Sequence, residues 1–408
     1  MDRDISPPPL KRRKFNLQPL DQERPTGTES SVRIFSWNIN GVEAFLPSAS
    51  PKITTFFKRA DGRAVSPPRT TRESSTNSLR SFVRRHNWPE VLFLQEIKIK
   101  NGNSKTVAAL LASLNTPLDA KDSISDDRSY TLHTVLPKDK FNAKAFNGKL
   151  YGVGTVIRKD FAQSHSAYTR DVDWDLEGRV SITELNRKSG SRQGAAPERD
   201  QASSSSLPPP LAFVNVYAVN GTSAPYRSPE TGKIISTRHA HKIAFHSHLR
   251  DECLGLEARG FDVVVAGDLN IARGLLDGHP NLRTFPKQHC VNRADFNVKF
   301  FGDEDNLRAQ AYVTGSTAEQ AVFDSVDVFR AIRGTERKYT YHPRTRDWGS
   351  SGDRVDLIMV SKGLWESGRV LETDILDSPQ ERGPSDHVPL WVRLKYSSRE
   401  TTEEDGAI

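Results

Sequence analysis

Eight short apolar runs, each giving way at once to polar residues, constrain the fold of this chain more than any other feature. They are Val32–Trp37, Val91–Gln95, Tyr151–Ile157, Arg179–Leu185, Leu211–Tyr217, Phe261–Gly267, Val355–Ser361 and Val388–Leu394. Short runs with so little alternation read as buried strands, because a strand covered on both faces has no solvent side to keep polar. Helical patterns lie between them. Leu79, Phe82 and Val83 form an i, i+3, i+4 stripe, and Val107, Leu110, Leu111 and Leu114 form another, with Ser104 as the expected N-cap. A third helix is expected from about Thr237 to Leu256. Strands interleaved with helices and no fixed-period repeat imply one α/β (α+β) domain of layered sheets, not a solenoid.

Composition narrows the function classes. Lys and Arg number 58 against 51 Asp and Glu, so the formal charge is +7, which suits a polyanionic partner such as DNA. Cys253 and Cys290 are the only cysteines of the 408 residues, which excludes a disulfide framework or a cysteine-rich zinc module. No apolar run approaches the roughly 18 residues of a membrane span, and the N-terminus has no secretory apolar region, so an intracellular protein without membrane association is expected. Residues 1–30 read as a disordered basic arm, and its Lys11-Arg12-Arg13-Lys14 cluster reads either as a nuclear import signal or as a tail touching phosphates; a nuclear protein is expected. Residues 61–78 and 187–210 are polar and Pro-containing, and read as flexible inserts; residues 397–408 read as an acidic solvated tail.

The strand ends carry the chemistry. Trp37-Asn38-Ile39-Asn40-Gly41, Leu94-Gln95-Glu96, Tyr217-Ala218-Val219-Asn220-Gly221, Gly267-Asp268-Leu269-Asn270 and Pro384-Ser385-Asp386-His387 each place carboxylates, amides, a phenol or an imidazole where an apolar strand stops. Singly, each of these could be a turn or a cap. Oxygen donors without cysteines suit a hard cation, Mg²⁺ with Mn²⁺ as a possible substitute.

In order along the chain, WNINGV, LQEIK, YGVGTVI, EGRVSI, VYAVNG, AGDLNIA, DRVDLIMVS and PSDHVPL resemble the exonuclease III-like abasic-site endonucleases of the endonuclease/exonuclease/phosphatase superfamily, over about residues 31–396. The resemblance implies a four-layer sandwich, two mixed β-sheets packed face to face with helices outside. It implies a Mg²⁺-dependent monomer of DNA base-excision repair that cuts damaged duplex DNA 5′ to abasic sites, with 3′-to-5′ exonuclease or 3′-phosphodiesterase activity beside it. It also assigns roles. Glu96, Asp386 and Asn38 would lie at the metal, with Asn38 also a polar contact for substrate. Asp268 would position or deprotonate the attacking water and Asn270 would orient it. His387 would face the scissile phosphate, with Asp356 holding its ring, and Tyr217 and Asn220 would reach phosphate oxygens. Arg179 reads as a salt bridge supporting the sheet.

The chain departs from the family pattern at three places. Val219 stands where proline is usual, and Ile97 where threonine is common. In the stretch where abasic-site enzymes place apolar or aromatic side chains around the extrahelical sugar, the equivalents are expected to be His342 and Asp353, with Tyr341 or Trp348 as possible substitutes. A carboxylate there opposes an apolar sugar beside phosphates. Action on another phosphoester (RNA, a DNA–protein adduct or a phosphoinositide) is therefore an alternative, and a non-catalytic binding homologue is a further one. Four histidines at 239, 241, 246 and 248 have no i, i+4 pair that would bind a metal, and are expected on a solvated or phosphate-brushing helix face.

Overall fold

The structure, a computed structural model, describes residues 31–46, 78–143, 151–186, 208–302 and 321–396. The basic arm, the acidic tail and nearly all of the two polar inserts lie outside the described residues. In chain order the strands are β1 (Ser31–Asn38), β2 (Val91–Gln95), β3 (Tyr130–Val135), β4 (Val153–Arg158), β5 (Ala167–Asp171), β6 (Val180–Leu185), β7 (Leu211–Tyr217) and β8 (Pro225–Arg227). They continue as β9 (Ile234–Thr237), β10 (Asp262–Asp268), β11 (Gly278–His279), β12 (Ser325–Asp327), β13 (Gly352–Asp353), β14 (Asp356–Ser361), β15 (Val370–Ile375) and β16 (Leu390–Lys395).

Two six-stranded sheets result, in the orders β15-β16-β1-β2-β4-β3 and β12-β14-β10-β7-β6-β5. Each has one parallel pair at its centre, β1 with β2 and β7 with β10, and antiparallel pairing elsewhere. The eight apolar runs are the eight interior strands. The four strands without such a run, β3, β5, β12 and β15, are the four sheet edges, where part of the surface stays open to water.

Side-chain alternation sorts the core into layers. Val32, Ile34 and Phe93 from one sheet meet Phe213, Val264 and Ile358 from the other. Helices α1 (Leu79–Arg85), α2 (Ser104–Asn115) and α3 (Lys159–Ser164) come first in the chain. On the outer face of the second sheet, Val214, Val263 and Val265 pack on Phe245, Leu249 and Leu256 of α4 (Arg238–Ala258) and on Phe296 and Phe300 of α5 (Gln288–Phe301). On the opposite face of the first sheet, Leu92 and Leu94 pack on Phe82 and Val83 of α1 and Leu110 and Leu114 of α2. Four layers follow: helix, sheet, sheet, helix.

Two local expectations are corrected. The N-cap of α2 is Asn103, whose side chain accepts from the Thr106 amide at 3.1 Å; Ser104 is already helical. Of the four α4 histidines, only His248 is exposed as expected. His246 is fully buried against Asp295 of α5 (2.8 Å), His239 is buried beside Asn292 (2.9 Å), His241 stacks on Tyr226 and His248 on Trp174. They tie α4 to its surroundings. Among the described residues, no helix is long and apolar enough to cross a membrane.

Near the polar ends of the strands the apolar inter-sheet layer gives way to a hydrogen-bonded chain. Gln95 donates to Ser36 Oγ (3.0 Å) and to Asn215 Oδ1 (2.8 Å), Asn215 donates to Thr155 Oγ1 (3.2 Å), and Thr155 meets Ser181 Oγ (2.7 Å). All five side chains are buried, and they come from five strands of both sheets. Asn215→Ala leaves the Gln95 amide and the Thr155 hydroxyl short of partners, so urea unfolding is expected to show a loss of about 1–3 kcal/mol, the cost of an unsatisfied buried polar group.

Candidate active site

The candidate residues converge where the two parallel pairs end. Asn38 closes β1, Glu96 follows β2, Tyr217 closes β7 and Asp268 closes β10; Asp356 opens β14 and Asp386-His387 lie just before β16. The backbone turns sharply there. Asn40, Glu96, Lys98 and Asn270 all have φ of 52–53°, an uncommon conformation for non-glycine residues that surrounding structure must hold in place. Gly267 is required one residue earlier, since at its φ of 150° a Cβ would sit 1.9 Å from the Val216 carbonyl oxygen.

Asp268 is fixed at both oxygens. Its Oδ1 accepts from the Asn270 backbone N–H (2.9 Å) and its Oδ2 from Asn38 Nδ2 (3.0 Å). The same Asn38 amide donates to Glu96 Oε1 (3.1 Å), while Asn38 Oδ1 accepts from the Asn40 N–H (3.0 Å). Asn38 is therefore a donor bridging two carboxylates, with its oxygen accepting from the Asn40 N–H. Glu96 Oε2 lies 2.7 Å from Lys98 Nζ, and Asn40 Nδ2 donates to Asp386 Oδ1 at 3.0 Å.

His387 is held from three sides. Its Nδ1 lies 2.7 Å from Asp356 Oδ2, its backbone N–H donates to Ser385 Oγ (3.0 Å), and its carbonyl accepts from Trp37 Nε1 (3.0 Å). Trp37 is thus core, with its indole N–H spent inside the protein. Burial opposes a charge on His387, but the Asp356 carboxylate outweighs it and raises the ring to about 10, so the imidazolium persists at neutral pH. Burial, reinforced by the Asp356 charge, pushes the Asp268 carboxyl up to about 7. Burial also pushes Glu96 up, but Lys98 and Asn38 reverse this and hold it below the usual range. The Tyr217 phenol is driven well above its ordinary value by burial and by the Glu96 charge, so it remains a proton donor.

These groups open on a cleft of about 300 Å³ lined by Glu96, Tyr217, Asn220, Asp268, Asn270, Asp386 and His387, and on its other sides by loop and α5 residues including Arg283, His289, Arg293, Tyr341 and Asp353. His342 is not among them: it is buried, stacked on Trp348 at 3.8 Å and 3.0 Å from Asp377 Oδ1, so Tyr341 takes the place expected for it. Asn270 Nδ2 donates to the Ala218 carbonyl (3.0 Å), joining the Asp268 loop to the Tyr217 loop. Arg179 is buried in an ion pair with Glu177 (2.6 Å), with its guanidinium 4.8 Å from the Tyr217 ring centre, in the supporting role read from the sequence.

Two residues escaped the sequence reading. Lys98 follows Glu96 in LQEIK, and only the turn at Glu96 brings its ammonium onto the carboxylate. Lys242 of α4 is fully buried and donates to the carbonyls of Val219 (2.8 Å), Asn270 (3.0 Å) and Leu269 (3.3 Å), clamping the same two loops; nothing in its helix pattern marks it.

The charge balance suits a hard divalent cation. Glu96, Asp268, Asp356 and Asp386 crowd the site, while Lys98 and His387 are the cations in direct contact with them. The buried Asp356 Oδ1 has no hydrogen-bond partner among the described residues. Asp268, Asp356 and His387 each bring one donor atom within 4.8 Å of the others and could hold such an ion, and the Glu96 and Asp386 carboxylates line the same cleft.

Residues 35–387 match the endonuclease/exonuclease/phosphatase family, and the chain belongs to that family. Among solved structures, the AP endonuclease LMAP from Leishmania major superposes with a TM-score of 0.54 at 17% identity, covering 90% of this chain and 88% of that one. The catalytic domain of Xenopus laevis APE2 gives 0.51 at 16% identity over 90% and 94% of the two chains, and an AP endonuclease from Archaeoglobus fulgidus gives 0.50 at 16% over 90% and 100%. Among curated proteins, none matched. At these identities the likeness is one of fold, and it agrees with the four layers described above.

The Asp356–His387 pair makes a direct test. In the metal-free protein, NMR titration of the His387 ring is expected to show it still protonated at pH 8. Asp356→Asn removes the compensating charge and should lower its pKa by at least about one unit.

Proposed function

We propose that this protein is a Mg²⁺-dependent DNA phosphodiesterase of base-excision repair, acting as a monomer, which hydrolyses the backbone 5′ to an abasic nucleotide and leaves a 3′-hydroxyl. The observation that carries the reading is Asp268, held at both oxygens beside the His387–Asp356 pair in an open cleft. A carboxyl raised to about 7 is matched to accepting a proton from water at neutral pH. The water oxygen attacks phosphorus as its proton passes to Asp268, the P–O3′ bond breaks, and the leaving 3′ oxygen takes a proton from solvent to become the 3′-hydroxyl. His387, with Nδ1 engaged by Asp356, presents Nε2–H to a phosphoryl oxygen, and Tyr217 and Asn220 donate to the others. Mg²⁺, held by Glu96 and Asp386, would supply charge neutralisation at the phosphoryl group. The net charge of +7 serves backbone binding.

The test is cleavage of a labelled duplex carrying one internal tetrahydrofuran analogue beside an undamaged duplex, with Mg²⁺ and with EDTA. Incision on the 5′ side of the analogue is expected with Mg²⁺ only, and Asp268→Asn should lower kcat by roughly 10²-fold or more, the scale of general-base loss. Unchanged turnover in that variant refutes the assignment of Asp268.

A second reading, removal of 3′-terminal nucleotides by the same chemistry, is favoured by Asp353 in the cleft. A nuclear location through Lys11-Arg12-Arg13-Lys14 is part of the proposal, and a fusion of residues 1–20 to a reporter is expected to enter the nucleus; a cytoplasmic reporter would remove that part.

A further inference from the structure

The loop side of the cleft is charged where an abasic sugar calls for an apolar wall. Asp353 and Val355 line it, two apart along an extended segment, while Arg354 between them points into the protein and donates to Asp277 (2.7 Å) and Asp327 (2.7 Å). Asp353 is therefore not drawn into the buried ion network beside it. Its backbone is pinned, with N–H to the Tyr341 carbonyl at 3.1 Å and carbonyl to the Tyr341 N–H at 2.9 Å, but its carboxylate has no hydrogen-bond partner among the described residues. The cations that face it are Arg293 and Arg283. Arg293 is committed to the carbonyls of Ala272 (2.7 Å) and Arg283 (2.6 Å). The exposed Arg283 guanidinium has no hydrogen-bond partner among the described residues and stays available to a ligand. Tyr341 presents its ring at the same corner, 5.1 Å from His387 between centroids.

An occupant of this corner has to give N–H donors to a carboxylate, an acceptor to a guanidinium and a flat face to a phenol ring. A base-free deoxyribose lacks the N–H donors and the flat face, and it would bury Asp353 unpaired, which is costly for a charged group. A nucleobase supplies all three: ring or exocyclic N–H groups, carbonyl or ring-nitrogen acceptors, and a π face. The cleft, at about 300 Å³, is at the small end of nucleoside-sized pockets.

We propose that Asp353, with Arg283 and Tyr341, forms a nucleobase subsite, so that the nucleotide this site excises best carries its base, as at a 3′ end, and a base-free residue is the poorer substrate. The proposal rests on the Mg²⁺-dependent phosphodiester hydrolysis proposed above, and it favours the second reading, removal of 3′-terminal nucleotides, over abasic incision as the main use of the site. It is tested with the full chain, Mg²⁺ and two duplexes with recessed 3′ ends, identical except that the last residue is a normal nucleotide in one and tetrahydrofuran in the other.

The wild type is expected to release the normal nucleotide with the higher kcat/KM. Asp353→Ala is expected to narrow that preference by roughly tenfold, the value of one good base contact, mainly through KM for the base-bearing end. Asp353→Asn, which keeps the side-chain shape, supplies the same comparison should the alanine variant not fold. A wild-type preference for the tetrahydrofuran end, or variants that change both substrates equally, would overturn the subsite. Absence of Mg²⁺-dependent cleavage of all three substrates, the two recessed-end duplexes and an internally abasic one, would instead overturn the phosphodiesterase reading and the subsite with it.

Discussion

One amide holds the site together across the gap between the sheets. Asn38, on β1 of the first sheet, donates to Glu96 of that sheet and to Asp268 of the second from a single nitrogen. Two carboxylates so close repel each other, and a shared donor is the least bulky way to keep both in place. The bridge sits on the chain of Ser36, Gln95, Asn215, Thr155 and Ser181, which replaces apolar packing by hydrogen bonds at this end of the sandwich. Oily packing fixes distance loosely, whereas directional hydrogen bonds fix register, and the site needs both sheets in register to within a hydrogen bond.

The position of the site follows from strand direction. A parallel pair ends both its strands at the same edge, and each sheet has one such pair, so four strands deliver Asn38, Glu96, Tyr217 and Asp268 to one place. The antiparallel neighbours begin where these end, which brings in Asp356 at the start of β14 and His387 before β16. This is the general rule that ligands bind beyond the carboxyl ends of parallel strands, here served by two sheets at once. It also explains why the polar residues that close the apolar runs were legible as a set, although each alone reads as a turn.

What escaped the sequence did so for definable reasons. Interior strands are buried on both faces and announce themselves; β3 (YTLHTV) and β15 (VLETDI) mix buried with less buried positions, β5 (AYTRD) has no fully buried one, and none of the three does. The helix α5 carries Asn292, Asp295, Asn297 and Lys299 on buried positions, where the partners that make burial tolerable are distant in the chain. The same holds for the α4 histidines and Lys242: a polar residue in a helix reads as solvent-facing until its acceptor is known. Which way the Asn38 amide points is likewise decided by two carboxylates on different strands, 58 and 230 residues away in the chain.

The two sides of the cleft are built differently, and their functions divide accordingly. The catalytic side is made of strand ends whose backbones are locked by sheet pairing, so its geometry tolerates little change. The other side is made of the segment after Asn270, the start of α5 and the turn carrying Tyr341; Asp353 is bridged to Tyr341 and paired through a two-residue ribbon with Gly278-His279, and the wall is anchored beneath by Arg354 between Asp277 and Asp327. That anchor lets the residues above it vary without disturbing the sheets, since the buried charges are satisfied whatever Asp353 does. On the proposed function, rigid sheets hold the reacting groups and a supported loop wall selects what is hydrolysed. A chain can therefore keep every reacting group of its family and still differ in substrate through a single carboxylate on that wall.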